Sequence, residues 1–159
     1  MRIPLFAGRI LYGGFFLYNG INHFLAWKQM RDYAASKNVT NPGAAVTGTG
    51  ALLIAGGASI LAGYMPKAGL AAVVTFLVGV SPKMHDFWRI EDPDQRTTEM
   101  INFSKNMALL GAALCMTAIR EPWPLSLPAG QAESERRAGR EIEAPEEEII
   151  SELAPTRAW

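Results

Sequence analysis

Long uncharged stretches alternate with short charged ones along this chain. Ile10–Trp27 runs 18 residues without a formal charge, Asn38–Pro66 runs 29, Ala68–Pro82 runs 15 and Asn106–Ile119 runs 14. A helix that crosses a bilayer needs roughly 20 mostly apolar residues. The second stretch meets that length outright. The third reaches it by extending through Lys83 to Trp88, and the fourth by reaching back through Lys105 to Met100. Both lysines must then sit near span ends, where a long side chain can carry its ammonium to water. A helix of a soluble bundle carries a polar stripe. Ala44–Tyr64 has none, only Gly, Ala, Leu, Ile, Val and hydroxyl residues. The pattern predicts an all-α fold, an antiparallel four-helix transmembrane bundle with spans at about 4–24, 44–64, 68–86 and 100–119.

The first span does not read as a cleavable signal peptide, because it holds Arg9, many aromatics and no small-residue cleavage site before Trp27. Arg9 is expected to snorkel to the interface on the side of the termini. Trp27 and Trp88 follow spans one and three, and Tyr64 and Trp123 follow spans two and four. In an alternating bundle the two pairs form aromatic belts at opposite interfaces. Gly13-Gly14 and Gly56-Gly57 would let helix backbones approach closely, as helices do in lipid. Gly48-Thr49-Gly50 is not a dinucleotide loop, since no strand precedes it and no acidic residue follows at the required distance.

Charge divides the chain in two. Residues 1–119 hold ten Lys/Arg and six Asp/Glu, a net +4, whereas residues 120–159 hold five Arg and nine Glu, a net −4. Residues 1–119 form the membrane domain, and 120–159 read as an acidic, mostly disordered tail. Pro122, Pro124 and Pro128 forbid continuation of span four. Within the tail, 145–153 suits a short helix, with Pro145 at its first position and Glu146, Glu147 and Glu148 at its positive end. The single cysteine, Cys115, rules out an intrachain disulfide, CxxC chemistry and cysteine-based metal centres. No basic patch with interleaved aromatics marks a nucleic-acid partner. The expected partners are the lipid bilayer and another protein or a second copy, through the spans or the tail. Basic residues are nearly balanced between the two sides of the bundle, so charge alone does not orient it.

The polar residues of the spans gather at one end. Asn19, Asn22 and His23 share a face at the end of span one, and Asn102, Lys105 and Asn106 repeat the spacing at the start of span four. Ser81, Lys83, His85 and Asp86 end span three. A lysine inside the bilayer needs a partner, and Asp86 is the nearest acid of comparable depth, so an Asp86–Lys105 pair is expected. Pro82 should loosen span three beside it. Such a cluster is either a structural clamp or a site for a polar, redox-active ring such as a quinone head group. Lys105, His85 and the asparagines would donate to its carbonyls, and Phe15, Phe16, Phe87 and Phe103 would wall it. Haem held by His23 and His85 is a weaker reading, and metal hydrolysis has too few ligands. A solute permease would want polar residues at mid-span, where these spans are apolar.

Gly8-Arg9-Ile10-Leu11 through Phe16-Leu17-Tyr18-Asn19-Gly20-Ile21-Asn22-His23-Phe24, His85-Asp86-Phe87-Trp88, and Phe103-Ser104-Lys105-Asn106-Met107-Ala108-Leu109-Leu110-Gly111 resemble, in order and spacing, the DoxX family. The resemblance covers about Pro4–Ile119 and leaves Glu121–Trp159 without a counterpart. It implies a four-helix inner-membrane protein of bacteria or archaea with both termini cytoplasmic, which places the polar cluster on the outer side. It also implies a membrane subunit of a quinone-linked redox system, an oxidoreductase subunit if enzymatic. Candidate catalytic residues are Lys105, His85 and Asp86; Asn19, Asn22, His23, Asn102 and Asn106 complete the site. The alternative is a non-catalytic anchor that recruits a partner through its tail. Two departures stand out: Leu52 and Leu53 lie where the family often has Glu, and His23 where Lys is frequent.

Overall fold

The computed structural model describes residues 2–127, together with 132, 135, 136 and 139. The short helix expected at 145–153 lies outside the described residues. Among the described residues there are five α-helices and no strand: α1 (Arg2–Leu25), α2 (Trp27–Ser36), α3 (Pro42–Ala62), α4 (Pro66–Met84) and α5 (Pro93–Thr117). A single 3-10 turn, Phe87–Arg89, joins α4 to α5.

Local signals set most of these boundaries. Asn41 caps α3 by accepting from the Ala44 amide, and Pro42 follows at the first helical position. Asp92 caps α5 from the Gln95 amide in the same way, again followed by proline. Gly63 ends α3 with φ of 67°, and the Met65–Pro66 step starts α4. Pro82 falls in the last turn of α4, so it shortens the helix without kinking its body. Among the described residues, α3 and the stretch Pro66–Arg89 are long and apolar enough to cross a membrane by length and composition.

α3 is the central element and contacts α1, α2 and α4. Its glycines face two ways. A Cβ on Gly57 would lie 2.5 Å from the Leu17 amide nitrogen of α1, and one on Gly56 would lie 3.0 Å from the Gly69 carbonyl of α4. Gly13 and Gly20 of α1 meet Gly57 and Gly50 of α3 in reverse chain order, so the two helices run antiparallel at backbone contact. Gly14 has nothing within 4 Å and takes no part. The core is formed by Tyr12, Phe16, Leu53, Ile60, Leu70, Val73, Leu77, Ala113 and Trp123. The Tyr12 hydroxyl donates to the Leu109 carbonyl at 2.8 Å and ties α1 to α5. Outside this core, α1 presents an apolar stripe to its surroundings: Leu11, Tyr18 and Leu25, seven residues apart, are 75, 68 and 80 % exposed.

At the opposite end from the polar cluster, the structure departs from the sequence reading. Arg9 does not snorkel. It is 2 % exposed and donates to the Pro124 carbonyl (3.1 Å), the Leu125 carbonyl (2.8 Å) and the Ser126 hydroxyl (3.2 Å). The cause is the start of the tail. Residues 121–127 fold back across the bundle, the Leu127 amide donates to the Ala62 carbonyl, and Trp123 enters the core. Trp123 is therefore a core residue and not part of an interfacial belt. A Cβ at Gly63 would meet the Ser126 hydroxyl and the Arg9 guanidinium, so this strap needs a glycine there. Each hydrogen bond to a charged group contributes about 1.5–3 kcal/mol. Arg9→Ala, which strips three acceptors at once, is expected to lower the thermal midpoint in detergent markedly more than Ser126→Ala, which strips one. A snorkelling arginine would leave the midpoint unchanged.

Candidate functional site

The polar end of the molecule is assembled from α1, α2, α4 and α5. The stretch Lys28–Lys37, read from the sequence as a loop, is mostly helix α2 packed along α3. Trp27 anchors its start through a hydrogen bond from its indole nitrogen to the Thr47 hydroxyl, 3.1 Å. α2 brings Tyr33 and Lys37 to the ends of α4 and α5.

These residues redraw the expected ion pairs. Asp86 does not meet Lys105; its Oδ1 is 2.8 Å from Lys37 Nζ. α4 ends at Met84, and Asp86 turns off the helix axis toward the end of α2. It lines a cleft of about 550 Å³ with Lys37, Lys83, Trp88 and Arg89. The bond from Lys37 to Asp86 raises the lysine's pKa above the usual 10.5. Burial, then the carboxylate of Glu99, raises that of the neighbouring Tyr33.

His85, the residue that caps α4, takes a different partner. Its Nδ1 is 2.6 Å from Glu99 Oε2 of α5, and both side chains are about four-fifths buried. Glu99 Oε1 lies 3.5 Å from the Tyr33 hydroxyl, which itself donates to the Met84 carbonyl at 3.2 Å. Glu99, Lys37 and Tyr33 were missed in the sequence. Glu99 stands one residue before the expected span, and the other two belong to the helix read as a loop.

His85 sits between two cavities. One, of about 490 Å³, is lined by Phe15, His85, Asn102, Lys105, Asn106 and Leu109, with Ala108. It unites four of the expected site residues. Lys105 is exposed at its edge. The other, of about 470 Å³, lies beneath α2 and is mainly apolar; His23, Tyr33, Phe76, Met84 and His85 are among its walls. His23 Nδ1 is 2.7 Å from the Asn19 carbonyl. A carbonyl only accepts, so Nδ1 carries the proton and Nε2 is left for the cavity. Asn19 spends its amide on the Phe15 carbonyl of its own helix, and neither Asn19 nor Asn22 lines the cavities described here. Of the four expected ring-walling phenylalanines only Phe15 lines the Lys105 pocket. Phe16 is in the core, and Phe87 and Phe103 pack with Trp88 at ring distances of 5.1–5.8 Å.

A small all-helical chain with apolar helices of spanning length and a polar, aromatic-edged cluster at one end has the form of a membrane protein with an interfacial site. The DoxX family model matches residues 5–86, half of the chain, and the chain belongs to that family. The match takes in α1 to α4 and the His85-Asp86 step; α5, with Glu99 and Lys105, lies beyond it. No curated protein and no solved structure matches the chain.

The Lys37–Asp86 pair gives a stability expectation with a definite sign. A lysine whose folded pKa is raised contributes fully below its unfolded pKa and loses that contribution as pH climbs through the folded value. Lys37→Met is therefore expected to cost about 0.5–1 kcal/mol from neutral pH to near 10, and progressively less above 10.5. Thermal midpoints of the two proteins across that range check it.

Proposed function

We propose that the chain crosses a bacterial or archaeal inner membrane four times, through α1, α3, α4 and α5, with both termini cytoplasmic. In this reading it serves as a membrane subunit of a quinone-linked redox system. The exposed apolar stripe of α1 supports a lipid-facing role for that helix. α2 then lies along the outer interface, with Trp27 tied to α3 and Lys28 facing water.

The observation that carries the functional reading is the convergence on one pocket of donors and an ionisable pair. Lys105, Asn102 and Asn106 project from successive turns of α5, Phe15 supplies a ring face from α1, and His85, paired with Glu99, lines the pocket as well. The cavity volume is within the range of small-ligand sites. A bound quinone supplies two-electron, two-proton carbonyl chemistry. Lys105 and the asparagines hold and orient a carbonyl-bearing ring there, and Phe15 excludes water from one face. Electrons come from a soluble oxidoreductase partner. The strap held by Arg9 gives the acidic tail a fixed point of departure on the cytoplasmic side, where such a partner would dock.

Lys105→Ala, purified in detergent, is expected to weaken binding of a short-chain quinone analogue by about tenfold or more while keeping the wild-type thermal midpoint; loss of one charge-assisted hydrogen bond accounts for that factor. Unchanged binding with Lys105→Ala, or loss of stability in step with loss of binding, would mark the cluster as a structural clamp.

A further inference from the structure

His85 and Glu99 are placed to do more than line a pocket. Glu99 borders a further cavity, about 430 Å³, which it shares with Tyr33, Lys37, Ile90, Asp94, Gln95 and Thr98. Among these, Asp94, Gln95 and Thr98 are exposed, so this cleft opens to water. His85 lines both the Lys105 pocket and the apolar cavity. One carboxylate oxygen and one imidazole nitrogen, 2.6 Å apart, thus join an aqueous cleft to both of these cavities.

We infer that Glu99 and His85 form a proton relay from the aqueous cleft beside α2 to the pocket of Lys105. The inference rests on the proposed site but not on the identity of its ligand. With Nδ1 engaged by Glu99, Nε2 is the only ring nitrogen of His85 left for the pocket. In each passage a hydronium ion in the cleft gives a proton to the Glu99 carboxylate and is left as water, Glu99 gives one to Nδ1 of the ring in its Nε2-protonated tautomer, and Nε2 gives one to an acceptor oxygen in the pocket. One proton enters, one leaves, and the pair ends with its starting charge; exchange of the imidazole tautomer resets the ring. Histidine with a carboxylate is the side-chain pair best matched to proton transfer near neutral pH.

The groups around the relay act in known directions. Lys105 of α5, on the pocket side, and Lys83 of α4, on the rim of the apolar cavity, oppose a second positive charge on His85. His23 of α1 shares the apolar cavity, and the Tyr33 hydroxyl of α2 stands within donating distance of both the Met84 carbonyl and Glu99 Oε1. Lys37 and Asp86 pair with each other on the cleft side, where Lys37 also shares the aqueous cleft with Glu99. Glu99 is accordingly a positioning and proton-transferring residue.

The chain has two histidines, so 15N-histidine spectra of the full-length protein in detergent resolve both, and His23→Asn assigns them. Glu99→Gln keeps a hydrogen-bonding side chain of the same size without the charge. It is expected to slow exchange of the His85 ring proton with water by about tenfold. Glu99→Asp should restore much of the exchange rate. An unchanged exchange rate in Glu99→Gln would overturn the relay whatever binds in the pocket. Glu99-dependent exchange in a protein that binds no quinone analogue would support the relay and refute the quinone site. A Glu99→Gln protein too unstable for spectroscopy leaves the decision to Glu99→Asp. There, an exchange rate near that of wild type supports the relay, and one slowed about tenfold overturns it.

Discussion

The close approach of α1 to α3 governs this molecule. A Cβ on Gly57 would lie 2.5 Å from the Leu17 amide nitrogen, and those on Gly20 and Gly50 would lie 2.7 Å from the Ile54 amide nitrogen and 2.8 Å from the His23 Cβ, so the two helices pack backbone to backbone. Lipid offers no hydrophobic drive for helices to associate, so such contact must come from close packing. Everything at the polar end follows from it. The C-terminal turn of α1 is fixed against α3, which sets His23 beside Phe76 of α4, with ring centroids 6.1 Å apart. α2 then has to leave α1 across the face of α3, and that path carries Tyr33 and Lys37 to His85, Glu99 and Asp86.

Much of this was legible in the chain, and the exceptions share a cause. The bodies of the long helices showed as uncharged runs, because a helix with apolar residues on every side leaves no other signature. Gly13, Gly56 and Gly57 were identified correctly as contact points; Gly14 beside them was not one. α2 was invisible because its charged residues, Lys28, Arg31, Asp32 and Lys37, make it resemble a loop to any test that looks for uncharged length. Its order comes from packing on α3. The Asp86–Lys105 expectation failed on helix length. Two residues past the end of α4, an aspartate points where the connecting turn sends it, and Lys105 lies six residues beyond Glu99, about 9 Å further along α5. Arg9 was misread because its partners, at Pro124, Leu125 and Ser126, are more than 110 residues away. No local pattern reveals that a proline-rich tail begins by turning back into the core.

The candidate site was half legible. His85, Asn102, Lys105 and Asn106 do share a pocket with Phe15. Glu99, which is 2.6 Å from the His85 ring, lay just outside the window of the expected span, and Asp86, chosen for its place, lines the neighbouring cleft instead. The family match ends at Asp86. The half of the pocket on α5 therefore stands on its own geometry, and that is where the chain's own chemistry is to be sought.

Photoaffinity labelling with an azido-quinone, followed by mapping of the labelled peptides, tests the central claim most directly. The account expects saturable labelling confined to the segments around Phe15 and Asn102–Leu109, lost in excess unlabelled quinone. Labelling spread along the exposed stripe of Leu11, Tyr18 and Leu25, and indifferent to competitor, would contradict it.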